Sequence, residues 1–235
     1  MCGISGYLTI REKVKPSLIR RTLDLMKRRG PDNQSFFKKD YSNKEIGLLH
    51  SRLNIIDLDK RSNQPFYGDN TVMVFNGEIY NFLELRKILE KKNYKFKTSS
   101  DTEVLLKSYT EWGESCVDFF VGMWAFAIWD QKKKKLFLSR DNFGEKPLYY
   151  TFENNAFYFG SEIKFIKSLS EIKFRLNKNK IYKYLSFGYK SINNDNNTFY
   201  KNVHLLENAT NITVDLNLKF IKKKYWRPKL KINNS

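Results

Sequence analysis

A cysteine stands second in the chain, directly after the initiator methionine. The side chain of Cys2 is small enough for methionine aminopeptidase to remove Met1, which would leave Cys2 with a free α-amine. Such an amine has a reference pKa of about 7.7 to 8.0, so much of it can act as a base near neutral pH. Cys2 would then carry both the nucleophile and its base. The competing interpretation is a small apolar residue buried in a first strand.

Two polar groups further along the chain could stabilise a negatively charged oxygen. Asn76 and Gly77 follow the predicted strand 71–75, and the end of a strand can aim two donors at one point. The side-chain amide of Asn76 and the backbone N–H of Gly77 therefore predict an oxyanion hole. By itself, Asn-Gly is more often a plain turn.

Arg52 and Asp101 carry charges suited to binding an amino acid. Arg52 follows another predicted strand and could bind a carboxylate through two hydrogen bonds. Asp101 could pair with an ammonium group, or it could be a first-turn acid that the helix dipole favours. With Cys2, Asn76 and Gly77, these are the groups that an α-amino acid with a side-chain amide would need.

The elements that would position these residues are strands and helices in mixed order. Apolar patterning predicts strands at 2–10, 47–50, 71–75, 123–129, 136–138, 148–152 and 156–159, with a charged hairpin turn at 130–134. It predicts a helix from Pro16 to a turn at 29–32, a second at 82–92, a third from a capping box at 100–103 to about Gly113, and a short one after Ser161. This order, with hairpins late in the chain, favours an α+β layered fold over a parallel βαβ sheet.

Length and composition limit the class of protein. The 235 residues predict one large domain followed by a tail, and 41% hydrophobic with 16% aromatic residues exclude a disordered chain. No apolar run is long enough to cross a bilayer, and no secretory signal is recognisable, so we expect no membrane partner. Two cysteines without disulfide or zinc-ligand spacing predict a cytoplasmic protein without a metal site.

The net charge of +18 raises the question of nucleic acid. Lysines outnumber arginines 32 to 11, whereas base and phosphate recognition favours arginine. No nucleic-acid-binding motif accompanies the charge. A lysine-loaded surface is therefore the favoured interpretation, and nucleic-acid binding remains a minority alternative.

Short motifs in a fixed order carry a family resemblance. They are Met1–Ile4, Arg29–Asp32, His50–Asp57, Gln64–Pro65, Phe75–Asn81, Ser100–Glu103, Gly122–Phe126, Arg140–Asp141, Gly144–Tyr150 and Ser161–Lys164. On these motifs the chain resembles the N-terminal glutaminase domain of glutamine-dependent asparagine synthetase, a class II glutamine amidotransferase of the N-terminal-nucleophile hydrolase type.

The resemblance implies a four-layer αββα sandwich of two antiparallel sheets, with Cys2 at the start of a central strand. It implies that Cys2 attacks glutamine, that Asn76 and Gly77 assist catalysis, and that neither His50 nor His204 is catalytic. The glutamine-binding residues that it implies are Arg52, Leu53, Asn54, Ile55, Ile56, Asn76, Gly77, Glu78 and Asp101. This half-reaction needs no cofactor, whereas ATP and magnesium would belong to a synthetase domain.

Two departures from the family pattern concern the end of the chain. Leu205–Ala209 stands where the family has Leu-Pro-Pro-Gly-His, and no synthetase phosphate loop follows Trp226. We therefore expect residues 1–176 to form the domain core, and 177–235 to form its C-terminal part and a linker toward a synthetase domain or subunit. A homodimer is a further option. The alternative function is a catalytically idle module that binds glutamine or a partner.

The C-terminal region also predicts an interface. Residues 161–235 carry a net charge of +11 together with several large apolar groups, which are Phe187, Tyr189, Phe199, Leu205, Leu206 and Trp226. We expect Tyr225 and Trp226 to bury against a partner or the missing half, while Phe187 and Leu205 could equally fold onto their own core. The isolated chain should then be protease-sensitive beyond about Lys219.

Overall fold

The computed structural model describes residues 1–188 and 196–228, which form twelve strands and five α-helices. The strands are β1 (Gly3–Ile10), β2 (Asn33–Tyr41), β3 (Lys44–Arg52), β4 (Phe66–Tyr67), β5 (Thr71–Ile79), β6 (Gly122–Asp130), β7 (Lys135–Arg140), β8 (Tyr149–Glu153), β9 (Ala156–Gly160), β10 (His204–Leu205), β11 (Thr210–Asp215) and β12 (Phe220–Lys224). The helices are α1 (Pro16–Met26), α2 (Phe82–Lys91), α3 (Asp101–Trp112), α4 (Ile163–Leu169) and α5 (Lys178–Phe187). No helix in these two ranges is long and apolar enough to cross a membrane.

The strands form two six-stranded antiparallel sheets that face each other. The first has the order β10-β8-β9-β1-β3-β2, and the second has the order β12-β11-β7-β6-β5-β4. Helices α1 and α4 cover the outer face of the first sheet, and α2 and α3 cover the second. The predicted α+β fold, a four-layer αββα sandwich, is confirmed.

Alternation along each strand explains the layers. Ile4 and Leu8 of β1 face the second sheet, where they meet Val74 of β5. Tyr7 and Phe75, on the opposite faces of the same strands, lie under helices. Because both faces of these strands are buried, they read as continuous apolar runs rather than as alternating ones.

Two predicted strands end later than the sequence indicated. Asn76 and Gly77 lie inside β5, where Gly77 is opposite Trp124 of β6, so the Asn-Gly pair is not a turn. A Cβ at Gly77 would lie 2.1 Å from the carbonyl oxygen of Met123, which explains the glycine. Arg52 likewise belongs to β3. Both strands continue into polar residues because these residues still pair with neighbouring strands, at the end of each sheet where the candidate site lies.

Two further differences have local causes. Strand β2 was not predicted, because it is a partly exposed edge strand whose sequence is largely polar. Helix α3 begins as predicted, with the Ser100 side chain accepting a hydrogen bond from Thr102 N. The reciprocal half of the capping box is not formed, since Glu103 instead accepts from the backbone N–H groups of Lys97 and Thr98.

The residues after 176 contribute more to the sheets than we expected. Strand β10 extends the first sheet, and every residue of β11 pairs with β7 in the second. The predicted extension therefore belongs to the sandwich as far as β12, whose residues are all exposed at the sheet edge. That exposure accounts for the weak patterning. The division of the chain at residue 176 stays a prediction.

The two aromatic residues expected to meet a partner contact their own domain. The Tyr225 ring stacks on Trp124, and its hydroxyl donates to the Arg140 carbonyl at 2.8 Å. Trp226 lies edge-on against Phe143 with 5.4 Å between ring centroids. Tyr225 therefore packs on its own domain, contrary to the prediction, whereas a contact of half-buried Trp226 with a partner stays a prediction.

The other apolar residues of this region differ in their surroundings. Leu206 is buried in the core between the sheets, Leu205 and Phe199 are half-buried, and Phe187 is exposed on α5. Tyr189 lies outside the described residues. Strand β12 pairs with β11 just after Lys219, and the expected protease sensitivity beyond that residue stays a prediction.

The departure at Leu205–Ala209 leaves the turn in place. Ala209 adopts a left-handed backbone with φ of 52° and donates from its N–H to the Asp141 carbonyl at 2.8 Å. Asn208 donates from Nδ2 to the Asn142 carbonyl at 2.9 Å. These bonds hold a strained alanine at the turn without proline or glycine.

Candidate active site

The start of β1 is fixed by side chains from two of the motifs. Arg29 donates from Nε to the carbonyl of Cys2 at 2.9 Å and pairs with Glu162 at 3.2 Å. Ser161 accepts at Oγ from Ile4 N at 3.1 Å and donates from its own N–H to the Ile4 carbonyl. The backbone on either side of the Cys2 side chain is thus held in place.

The segment after α1 also fixes the loop that follows β3. Gly30 lies directly against β3, and a Cβ there would lie 2.3 Å from the carbonyl carbon of Ser51. Asp32 accepts at Oδ2 from Asn54 N at 2.7 Å. The motif Arg29–Asp32 therefore positions both the predicted nucleophile and the predicted substrate loop.

The thiol of Cys2 is largely shielded from solvent. Its Sγ accepts from Leu53 N at 3.4 Å. Burial raises the pKa of the Cys2 thiol, and the Leu53 hydrogen bond and the positive charges of the N-terminus and Arg52 oppose that rise only in part. A thiol with a raised pKa is mostly protonated at neutral pH, so it needs a nearby base to become a nucleophile.

The Asn76 side chain has a free donor. Asn76 is 1% exposed, and its Nδ2 has no hydrogen-bond partner anywhere in the described part of the chain. Alternation places its side chain on the face of β5 that carries Val74, between the sheets, and places Cys2 on the corresponding face of β1. A buried amide donor without a hydrogen bond costs free energy, so the unpaired Nδ2 of Asn76 requires a functional reason.

The backbone of Gly77 offers a second donor. Phe75 and Ile79 donate from their N–H groups away from β6, to Gln64 Oε1 at 2.6 Å and to Asp101 Oδ2 at 3.1 Å. Alternate residues of a strand direct their N–H groups to the same edge. The N–H of Gly77, midway between the two, therefore points to that edge as well.

A small cavity of about 50 Å³ joins most of the predicted site residues. Its lining includes Cys2, Arg52, Leu53, Ile55, Ile56, Gly77, Glu78 and Asp101 from the predicted set, together with Ser62, Gln64, Phe75, Ser100 and Thr102. Asn54 and Asn76 are outside the lining. The cavity is small beside ligand pockets, which usually measure about 300–1,000 Å³.

Arg52 closes this cavity. The side chain is 4% exposed, and its guanidinium donates to the Asp59 carbonyl at 3.0 Å, to Asn63 Oδ1 at 2.7 Å and to the Asp57 carbonyl. A carboxylate that binds Arg52 has to share this guanidinium with the loop. Binding of a carboxylate at Arg52 would therefore compete with the contacts that hold the 53–63 loop.

Asp101 is a buried acid in the same lining as Arg52. It is 4% exposed, and burial raises its pKa to about 6, although hydrogen bonds from Ile79, Thr102 and Ser100 favour the ionised form. The nearby charge of Glu78 adds to the rise. A ligand ammonium beside Asp101 would restore the ionised form.

The two histidines have different surroundings. His50 is fully buried, and its Nε2 donates to the Phe75 carbonyl at 3.2 Å across the space between the sheets. Burial lowers the pKa of His50 to about 3, so the ring is neutral. His204 lies on β10 beside Tyr150, outside the cavity lining. These surroundings support structural roles for both, but the absence of a catalytic role stays a prediction.

Sequence reasoning missed the supporting residues Arg29 and Gln64. Both were visible only as members of motifs without an assigned role, because their partners are backbone groups distant in sequence. No cluster of three or more potential metal ligands occurs within 1–188 and 196–228.

Comparison with solved structures shows the same fold elsewhere. The chain is similar to glutamine phosphoribosylpyrophosphate amidotransferase from Bacillus subtilis, with a TM-score of 0.69 at 16% identity over 97% of this chain and 50% of that one. At that identity the likeness shows the fold alone.

The family is shown by sequence. The chain belongs to the glutamine amidotransferase domain family, whose sequence model matches residues 1–226. It is 39% identical, over 96% of its length, to a putative glutamine-hydrolysing asparagine synthetase of Methanocaldococcus jannaschii, and 39% identical over 76% to asparagine synthetase 3 of Bacillus subtilis. It covers 46% and 29% of these relatives, so it spans about half their length or less.

Proposed function

We propose that this chain hydrolyses glutamine to glutamate and ammonia, with Cys2 as the nucleophile after removal of Met1. The observation that carries the proposal is the unpaired Nδ2 of Asn76, buried on the face of β5 that Cys2 shares across the sheets. Natural proteins leave a buried donor unpaired where function needs it. Met1 is 57% exposed and therefore accessible to an aminopeptidase.

The chemistry needs only groups of this chain. The α-amine of Cys2 takes the thiol proton, and the sulfur attacks the carbon of the glutamine side-chain amide. Asn76 Nδ2 and Gly77 N stabilise the oxyanion, and the amine returns the proton to the departing ammonia. Water then hydrolyses the thioester by the same route in reverse. No metal or organic cofactor takes part in this half-reaction, and ATP and magnesium would serve a synthetase domain.

The binding roles follow the charges of the cavity. Arg52 pairs with the glutamine carboxylate and Asp101 pairs with its ammonium. The loop Leu53–Ile56 and Glu78 supply the remaining wall, and Asn54 acts through its backbone, which Asp32 holds. A cationic and an anionic side chain in one lining favour an α-amino acid over a simple amide.

The ammonia acceptor is proposed to be a synthetase domain or subunit of the asparagine synthetase type. Large apolar side chains are exposed at the end of the sandwich that carries Cys2, and they include Ile55, Leu58, Tyr80, Val121 and Phe143. Exposed apolar groups gathered at one end favour a protein partner there. A dimer of this chain and a cytoplasmic location are further proposals without a structural argument.

The proposal is tested by comparing two forms of one protein. One form carries extra residues before Cys2, and the other is the same preparation after a protease has left Cys2 as the first residue. We expect glutamate and ammonia to form only with the freed protein, because a blocked α-amine cannot serve as the base. Intact mass establishes the two N-termini. Equal absence of activity in both would favour the idle glutamine-binding module.

Glutamine binding should weaken in acid. The pKa of Asp101 lies near 6, so the carboxylate that pairs with the ammonium is protonated below that pH. KM for glutamine is therefore expected to rise as pH falls through about 6, and Asp101→Asn should show a high KM without this limb. Exposed Asp24, on α1, provides the control variant Asp24→Asn, whose pH profile should match the wild type.

The same shift predicts a change in stability. Because the folded pKa of Asp101 exceeds its ordinary value of 3.8, the stability linked to the protonated form is present below pH 3.8 and is lost as pH rises through about 6. The neutral Asp101→Asn variant avoids this loss. Its unfolding midpoint at pH 8 should exceed that of the wild type, and a lower midpoint would contradict the assigned burial cost.

A further inference from the structure

The loop 141–148 is held by two buried charged side chains that take no part in the proposed reaction. Arg140, 7% exposed, donates from Nε to the Lys146 carbonyl at 2.7 Å, and its other nitrogens donate to the carbonyls of Leu206 and Gly144. Gly144 has φ of 72°, and a Cβ there would lie 2.9 Å from the Arg140 guanidinium carbon. The loop 141–148 therefore packs closely against the buried guanidinium of Arg140.

Asp141 holds the same loop from the other side. Its carboxylate is 1% exposed and accepts from the N–H groups of Phe143, Glu145, Lys146 and Trp124, at 2.9 to 3.2 Å. The backbone of Lys146 is thus bonded at its N–H to Asp141 and at its carbonyl to Arg140. Arg140 and Asp141 therefore both hold the backbone of Lys146 in place.

The side chain of that residue points at the N-terminus. Lys146 is 8% exposed, and its Nζ lies 3.7 Å from the sulfur of Met1, which is a weak acceptor. Arg29 Nη2 lies 4.0 Å from the same sulfur. No carboxylate lies within 4.0 Å of Lys146 Nζ among the described residues, so the buried cation faces the first residue of the chain uncompensated.

The charged groups around the start of β1 come from several elements. They are Arg29, Arg52, Lys146, Asp32, Glu78, Asp101, Asp141, Glu145 and Glu162. Glu162 forms ion pairs with Arg29 and Lys164, and Asp141 accepts hydrogen bonds from four backbone N–H groups. Asp101 and Arg52 line the cavity on the thiol side. Within the described residues Lys146 forms no ion pair, whereas Arg29, the other cation near the Met1 sulfur, pairs with Glu162.

We propose that Lys146 is a positioning residue whose charge keeps the freed α-amine of Cys2 unprotonated, so that this amine can act as the base. Removal of Met1 takes away the sulfur and leaves the lysine charge facing the new N-terminus. A like charge in a buried setting disfavours the ammonium form of an amine. This inference deepens the proposed function, because a base at Cys2 is needed only if Cys2 is the nucleophile.

The test measures the amine directly as well as the reaction. Lys146→Met keeps the length of the side chain without its charge, and Lys146→Arg keeps the charge. In the protein with Cys2 freed, the labelling of the α-amine by acetic anhydride is followed against pH by mass spectrometry. We expect the midpoint to rise by about one pH unit in Lys146→Met and to stay near the wild type in Lys146→Arg.

The acid limb of kcat/KM should move by the same amount. The control Lys13→Met removes an exposed lysine that pairs with Asp40 far from Cys2, and it should move neither quantity. An unchanged labelling midpoint in folded Lys146→Met would overturn the inference, whatever its activity. If the midpoint shifts but the wild type does not hydrolyse glutamine, the inference holds and the proposed function fails.

Discussion

Replacement of Cys2 by alanine is expected to reduce glutamine hydrolysis by on the order of 10⁶-fold, the scale on which other covalent hydrolases lose activity without their nucleophile. Alanine is also small enough for Met1 to be removed, so Cys2→Ala keeps the α-amine and loses only the sulfur. Glutamine should still bind, because Arg52 and Asp101 are unchanged. The measurements are ammonia release and calorimetric titration with glutamine.

The second cysteine provides the control for this variant. Cys116 is fully buried in the cluster beneath α2 and α3, and burial raises its pKa far above the ordinary value, so it is an inert apolar residue. Cys116→Ala should lower the unfolding midpoint and leave kcat nearly unchanged. Retained hydrolysis by pure Cys2→Ala would show that this cysteine is not the nucleophile.

Replacement of Asn76 by alanine should lower kcat by about 10²–10³-fold and leave KM almost unchanged, as the loss of one oxyanion donor does. The Nδ2 group has no partner in the ground state within the described residues, so it can be recruited only when the oxyanion forms. For the same reason, removing it should not destabilise the fold through a lost hydrogen bond. Steady-state kinetics and denaturant unfolding test the two halves of this prediction.

Asn202 is a matched control for Asn76. It is also buried, but its Nδ2 donates to Glu153 and to the Lys173 carbonyl, and its Oδ1 accepts from Arg175 N. Asn202→Ala should therefore cost about 1–3 kcal/mol of stability with little change in kcat. If Asn76→Ala behaved like Asn202→Ala, its amide would be structural and the oxyanion assignment would be wrong.

Sequence patterns predicted an α+β layered fold because the central strands are apolar on both faces, whereas the four αββα layers were implied only by the family resemblance. Trp124, Phe126 and Ile128 lie under helices while Ala125 and Ala127 lie between the sheets, and such a run has few alternatives. Strand β2 and strand β12 escaped prediction because edge strands bury little and can be polar. Tyr225 was misplaced because an aromatic residue near a terminus gives no sign of which surface it covers.

The site was predictable to the extent that its chemistry is local. Cys2, Asn76, Gly77 and Asp101 stand out through residue type, position and motif. The contacts of Arg52 were not predictable. Its guanidinium binds the carbonyls of Asp57 and Asp59 and the side chain of Asn63, and their positions depend on how the 53–63 loop folds. Lys146 was hidden for a similar reason, since its neighbour Met1 is 145 residues away in the chain.

The surroundings of Cys2 also affect how fast its thiol is oxidised during storage. Oxidants and alkylating reagents attack the thiolate, and the Cys2 thiol combines a raised pKa with a cavity of about 50 Å³. Because the raised pKa keeps most of the thiol protonated, we expect the half-buried Cys2 sulfur to react slowly with peroxide. Movement of the 53–63 loop would expose the sulfur to substrate and to oxidant alike, so the shelf life of the protein should depend on how often the loop opens.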